Sequence, residues 1–177
     1  MSTFQFPAIY SFKPFWTIQP AMESRRTQAQ MWCDIILKWC KANKLNELKV
    51  ADAIKTPLFQ NKAINRELSL KDAEFFLNQL VLKQNAEWKD ESHKKCKIIW
   101  RKPAQWGELF YQWAHKNSSE GVVFTFYELR EGEDTQSEPF HGMDEKLMLE
   151  AIKDLQSKGK ATYIHSDVFD ECGVKFL

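Results

Sequence analysis

The sequence predicts a mostly α fold of the α+β class, built as two similar small domains in tandem behind an extended N-terminal segment. Two observations carry the repeat. Trp32, Ile35, Ile36 and Trp39 stand at i, i+3, i+4 and i+7, and Trp106, Leu109, Phe110 and Trp113 repeat that spacing 74 residues later. Such spacing puts four side chains on one face of a helix and gives it a stripe to bury. Ala73, Phe76, Leu77 and Leu80 likewise return as Met148, Ala151, Ile152 and Leu155, 75 residues on. A repeat of this length exceeds one solenoid unit and is near the smallest size that holds its own core. The third observation is the order of elements in the second repeat: helix, strand, helix, helix and a two-stranded wing, the winged-helix arrangement. The expected organisation is therefore an extended Pro/aromatic segment at 1–23 belonging to neither domain, and tandem winged-helix domains at 24–101 and 102–177. A single domain with two Trp-bearing core helices is the alternative.

Residues 4–20 hold Phe4, Phe6, Tyr10, Phe12, Phe15 and Trp16 among Pro7, Pro14 and Pro20. Proline fixes its own φ and disfavours helix in the residue before it, so this segment is expected to be extended. Its aromatics need cover. For residues 4–10 that cover is either the chain's own first domain or a partner. For Phe12, Pro14, Phe15, Trp16 and Thr17, docking on another protein is favoured, because rigid aromatics on a stiff chain bind with little entropy loss.

The first domain opens with a helix at 24–41. Thr56 before Pro57 is a helix-start signal, N-cap followed by proline at the first helical position, and predicts a second helix at 57–66. Ser69 with Asp72 resembles a capping box for the third helix, and Asn85 is expected to end it in the left-handed conformation. Residues 86–88 and 96–100 read as two strands around the charged loop 89–95. In the second domain Pro103 begins a helix to about Lys116, and 122–124 form a short strand. Thr125 with Glu128 is a capping box for a brief helix. A polar loop at 132–140 follows, then a helix capped by Asp144 and ended by Gly159, and strands at 161–164 and 173–177.

Charge is nearly balanced overall, 25 basic against 24 acidic residues, which gives no general drive toward nucleic acid or acidic lipid. The halves differ: 24–101 carries net +7 and 102–177 net −6. Four cysteines without close paired spacing argue for a reducing compartment. No run is long and apolar enough for a membrane span, and a cytoplasmic protein is expected.

Beyond this general reading, the chain resembles the vacuolar protein sorting-associated protein 25 family of ESCRT-II subunits. The resemblance rests on residues 12–20 (FKPFWTIQP), on Pro57-Leu58-Phe59, and on Trp106-Gly107 with Tyr111-Gln112-Trp113. It continues through residues 125–129 (TFYEL), Gly132-Glu133-Asp134-Thr135, residues 140–145 (FHGMDE) and Gly173-Val174-Lys175-Phe176. It implies two winged helices, no catalysis and no cofactor. It also implies a structural place in a complex that sorts ubiquitinated membrane proteins into multivesicular endosomes. The implied partners are vacuolar protein sorting-associated proteins 22 and 36, met by the N-terminal motif, and the ESCRT-III subunit vacuolar protein sorting-associated protein 20, met by the second domain. Recruitment to the endosomal membrane would then be indirect. Lys13 stands where the family has a first proline, and Trp16 where it has phenylalanine. In the acidic second domain, Glu128, Glu131, Glu133, Asp134 and Glu138 are the candidate steering surface for a basic ESCRT-III helix.

Two other classes compete. A winged helix that reads DNA needs a basic recognition helix. Here the third helix is net zero in the first domain and net −1 in the second, so specific nucleic-acid binding is the alternative function and not the expected one. An enzyme lacks support. Cys33 and Cys40, or His93 and Cys96, do not have metal-ligand spacing, His141 with Asp144 has no nucleophile motif beside it, and no Gly-rich phosphate loop is present.

Overall fold

A computed structural model describes residues 4–177, and the chain divides into two compact units after Trp100. Residues 4–21 are therefore part of the first unit and not a free docking tail. Where an extended chain was expected they form two 3₁₀ turns, Ala8–Ser11 and Lys13–Trp16, each introduced by one extended residue, Pro7 or Phe12.

The first unit runs α1 (Met22–Ala42), β1 (Glu47–Lys49), α2 (Val50–Ala53), a small hairpin of β2 (Gln60–Asn61) and β3 (Arg66–Glu67), α3 (Leu70–Leu82), β4 (Ala86–Trp88) and β5 (Lys95–Ile98). The wing is three-stranded and antiparallel, in the order β1-β5-β4, with Cys96 between Leu48 and Trp88. The second unit runs α4 (Pro103–Lys116), β6 (Val123–Thr125), α5 (Phe126–Glu131), α6 (Glu145–Ser157), β7 (Ala161–Ile164) and β8 (Gly173–Phe176). Its sheet has the same plan, β6-β8-β7. Helix, strand, helix, helix and two closing strands thus occur twice. Each wing gains its third strand from the strand that follows the unit's first helix.

The stripes pack as their periodicity requires. Trp32, Ile36, Phe76, Leu77 and Leu80 are fully buried in the first unit, as are Phe110, Met148, Ala151 and Ile152 in the second. Ser69 Oγ accepts the Asp72 N–H at 3.1 Å and Asp144 Oδ1 accepts that of Leu147 at 3.0 Å. The Thr125–Glu128 box is reciprocal. All four long helices end in the same way. Lys44, Gln84, Ser118 and Gly159 take positive φ, and the next residue's N–H bonds the carbonyl five positions back, at Cys40, Leu80, Ala114 and Leu155, a Schellman end. Gln84, not Asn85, is the left-handed residue of the first unit.

The helix expected at 57–66 is absent. Thr56 Oγ1 donates to the Ala53 carbonyl at 2.7 Å and accepts the Leu58 N–H at 3.3 Å, closing a turn after α2. Leu58 and Phe59 then drop side by side into the core. Asn61 accepts the Ala63 N–H through its side chain, and Asn65 sits at φ 52°. Side-chain turns of this kind offer the backbone an alternative to helix. The second helix of the unit is instead the single turn α2.

Candidate partner-docking surfaces

The N-terminal segment is held by its own unit. Phe15 is 4% and Trp16 3% exposed, which corrects the expectation that both reach outward to a partner. Phe15 stacks on Trp32 with centroids 4.7 Å apart, and Trp16 meets the same indole edge-on at 5.1 Å. The series continues from Trp16 to Tyr10, Phe6 and Phe4 at 5.0, 3.9 and 4.8 Å. Pairs of this geometry add about 0.5–1.5 kcal/mol each beyond burial. The backbone is satisfied as fully as the rings. The Phe15 carbonyl accepts from Gln28 Nε2 at 2.9 Å and Trp32 Nε1 at 3.1 Å, and the Thr17 carbonyl from Gln28 Nε2 at 2.7 Å. The Tyr10 carbonyl accepts from Trp16 Nε1 and Asn61 Nδ2 at 2.9 and 3.0 Å. The Tyr10 hydroxyl donates toward the Pro57 and Gln60 carbonyls, and burial pushes its pKa up to about 12.

What the turn turns outward is different. Phe12 is 56% exposed, and Pro14 and Thr17 are also exposed. Phe12 and Pro14 line a groove of about 400 Å³ with Ile9 and Met31. A second groove, of about 510 Å³, shares Ile9 and Met31 and runs on along Phe4, Phe6 and Pro7. Together they form a trough between the segment and α1 with Phe15 in its wall, its apolar lining joined by Gln19, Glu23 and Thr27 at one end and by Asp34 and Lys38 at the other. Of the five expected docking residues, the structure leaves Phe12, Pro14 and Thr17 facing outward. Gln28 was missed by the sequence reading. Its signal was a polar residue four positions before Trp32, on the helix face that should be apolar.

In the second unit the expected acidic residues are distributed unevenly. The Glu128 carboxylate is occupied at the N-cap, accepting from Thr125 N at 2.7 Å. Glu131 pairs with Arg130 at 3.1 Å, and the same guanidinium meets Glu145 at 2.8 Å and Asp170 at 3.4 Å. The Glu145 hydrogen bond holds the Arg130 pKa above its ordinary value. Glu133 and Asp134 lie exposed on a 3₁₀ turn, and Glu138 is half-buried. The loop is less polar inside than its sequence suggests. Thr135 is buried and bonds the Gly132 carbonyl and His141 Nδ1, both at 3.1 Å. Phe140 packs on Phe110 at 4.4 Å. His141 thereby has a structural partner and Asp144 a capping role. Exposed apolar residues stand in the same unit, among them Val122, Val123, Tyr127 at 54%, Ile164 and Val168, none of which was expected as a docking residue.

Among the described residues no group of three His, Cys, Asp or Glu could hold a metal, and no helix is long and apolar enough to cross a membrane. Residues 9–144 match the family model of the ESCRT-II complex subunit. The chain is 42% identical to vacuolar protein-sorting-associated protein 25 of Danio rerio, over 99% of each chain. It is 41% identical to that of Homo sapiens, over 99% of this chain and 98% of the relative. In fold it is similar to the crystal structure of subunit VPS25 of the endosomal trafficking complex ESCRT-II, with a TM-score of 0.73 and 28% identity over 97% of this chain and 98% of that one. It is also similar to a chain in the crystal structure of the endosomal complex ESCRT-II (VPS22/VPS25/VPS36), with a TM-score of 0.69 and 29% identity over 96% and 98%.

Proposed function

This chain belongs to the vacuolar protein-sorting-associated protein 25 family of ESCRT-II complex subunits, and on that premise we propose that it is the adaptor of an ESCRT-II assembly. Subunits of this family are non-catalytic structural components. The first unit docks on partners of the VPS22 and VPS36 kinds, and the second recruits an ESCRT-III subunit of the vacuolar protein sorting-associated protein 20 kind. The role served is sorting of ubiquitinated membrane proteins into multivesicular bodies, with endosomal membrane reached through the complex.

The observation that supports this reading is the trough beside Phe12 and Pro14. An exposed aromatic and a proline on a rigid turn, bordered by Ile9 and Met31, form an apolar patch that a partner would cover. For the second unit, exposed Glu133 and Asp134 on the turn that follows α5, with exposed Tyr127 on α5 itself, offer acidic charge and an apolar anchor suited to a basic amphipathic helix. Reconstitution tests both arms. The full chain mixed with the other two subunits should yield one stable complex by mass. Reversal of Glu131, Glu133 and Asp134 to Lys should leave that complex intact and slow capture of the ESCRT-III helix at low salt. A chain that stays alone, or a triple variant that captures the helix at the wild-type rate, contradicts the respective arm.

A further inference from the structure

A third groove in the first unit lies between α1 and α3 and is not part of the trough beside Phe12. Its volume is about 510 Å³. Met22, Ala29 and Phe75 supply its apolar lining and Arg25, Arg26 and Lys83 its charge, with no acidic residue among the lining side chains. Phe75 is half-buried and held edge-on against Phe76 at 5.2 Å, so its position is fixed by the core. Met22 is 72% exposed. Lys83 donates to Gln30 Oε1, a neutral partner. Neither arginine has a carboxylate within ion-pair distance among the described residues.

We infer that this groove binds an acidic peptide segment carrying one apolar anchor residue. Three cations without an acidic counterpart around an apolar recess complement alternating carboxylates and a single large side chain, and rim charges of one sign speed such an encounter. Arginine is the weakly hydrated cation that holds carboxylates through a two-pronged contact. Other occupants fit less well. A nucleic acid would find three cations, few for affinity that rests on many neutralised phosphates. A bilayer would meet a concave recess where a projecting apolar edge is needed. The inference is independent of the assembly reading, because none of the six side chains forms the floor of the trough.

The test is fluorescence anisotropy on the full chain with a short labelled peptide of Asp and Glu around one Leu. Parallel titrations use the same peptide with Ser for Leu, a DNA duplex, and phosphatidylcholine vesicles containing phosphatidylserine. Saturable binding of the Leu peptide is expected, weakened at least about tenfold by Arg25→Glu with Arg26→Glu. Met22→Ser, at an exposed position, should weaken it several-fold, and so should the Ser peptide. Absence of saturable binding overturns the proposal, as does equal binding by the double charge reversal. Equal affinity for the Leu and Ser peptides reduces the site to unspecific charge and also overturns it. So does a result in which the duplex or the vesicles bind, the arginine pair controls that binding, and the peptide does not bind.

Discussion

Phe15 lies flat on Trp32, ring centroids 4.7 Å apart and planes within 6° of parallel, while the Phe15 carbonyl accepts a hydrogen bond from the same indole at 3.1 Å. One residue is therefore joined to the centre of the first unit through both ring and backbone. The segment that resembles a docking peptide in sequence is in its lower half a piece of core. Its upper half, Phe12 and Pro14, stays exposed.

Gln28 is the polar bracket of that arrangement, 4% exposed, with Nε2 serving the Phe15 and Thr17 carbonyls and Oε1 accepting the Gln19 N–H at 3.1 Å. Gln28→Leu keeps the volume and removes all three bonds. The Phe15 and Thr17 carbonyls retain their second donors, Trp32 and Gln19, so the expected loss is about 1–3 kcal/mol. Urea denaturation followed by tryptophan fluorescence measures it. An unchanged midpoint would mean that water replaces the amide without cost.

Gly107 is part of the Trp-Gly pair on α4. A Cβ there would lie 3.0 Å from the Ala151 carbonyl oxygen and 3.1 Å from Leu155 Cγ on α6. Because one of those atoms is backbone, Gly107→Ala should push the two helices apart and cost about 1–3 kcal/mol despite alanine's better helix propensity. A fall in the melting temperature is the expected result. A rise would show that propensity outweighs the contact.

Lys13→Pro places a second proline where the backbone accepts one. Phe12 is extended at φ −91°, ψ 110°, as a residue before proline should be. The turn's hydrogen bonds are donated by Phe15 and Thr17, not by Lys13. The variant should gain about 0.4–1 kcal/mol by restricting the unfolded chain. A destabilised variant would mean that position 13 needs its N–H.

These positions show what the sequence conveys and where it stops. Long stripes at helical spacing placed α1, α3, α4 and α6, because tertiary burial follows the same periodicity that can be counted. Single turns such as α2 have no period to read, and β1 offers one buried residue, Leu48, in three. Thr56-Pro57 misled because the same hydroxyl that caps a helix also closes a turn. Aromatics among prolines state a need for cover but not who supplies it. Only the partners of Phe15 and Trp16, brought from α1, decide that. In the second unit the acidic side chains were legible as a cluster, yet which are occupied depended on Thr125 and Arg130.

Alkaline pH should loosen the first unit. Burial raises Tyr10 from 10.0 to about 12, Cys33 from 9.0 to about 11, and Cys40 and Cys96 from 9.0 to about 12. Below about pH 9 all four are protonated whether folded or unfolded, and their burial contributes fully. Above it the unfolded chain releases protons that the folded one retains, so stability falls as pH rises toward 12. Thermal melts in a reducing buffer should decline from pH 9 upward. A flat profile would place these groups in contact with water.

The most direct test of the account compares Phe12→Ala with Trp16→Ala in the full chain, each scored by denaturation and by co-purification with the two partner subunits. The expected result separates them. Phe12→Ala, at an exposed site, should melt as wild type yet lose co-purification, an anchor loss of about 2 kcal/mol or more. Trp16→Ala should lower the stability of the first unit by about 3–5 kcal/mol. The account is contradicted if Trp16→Ala is as stable as wild type while Phe12→Ala still assembles.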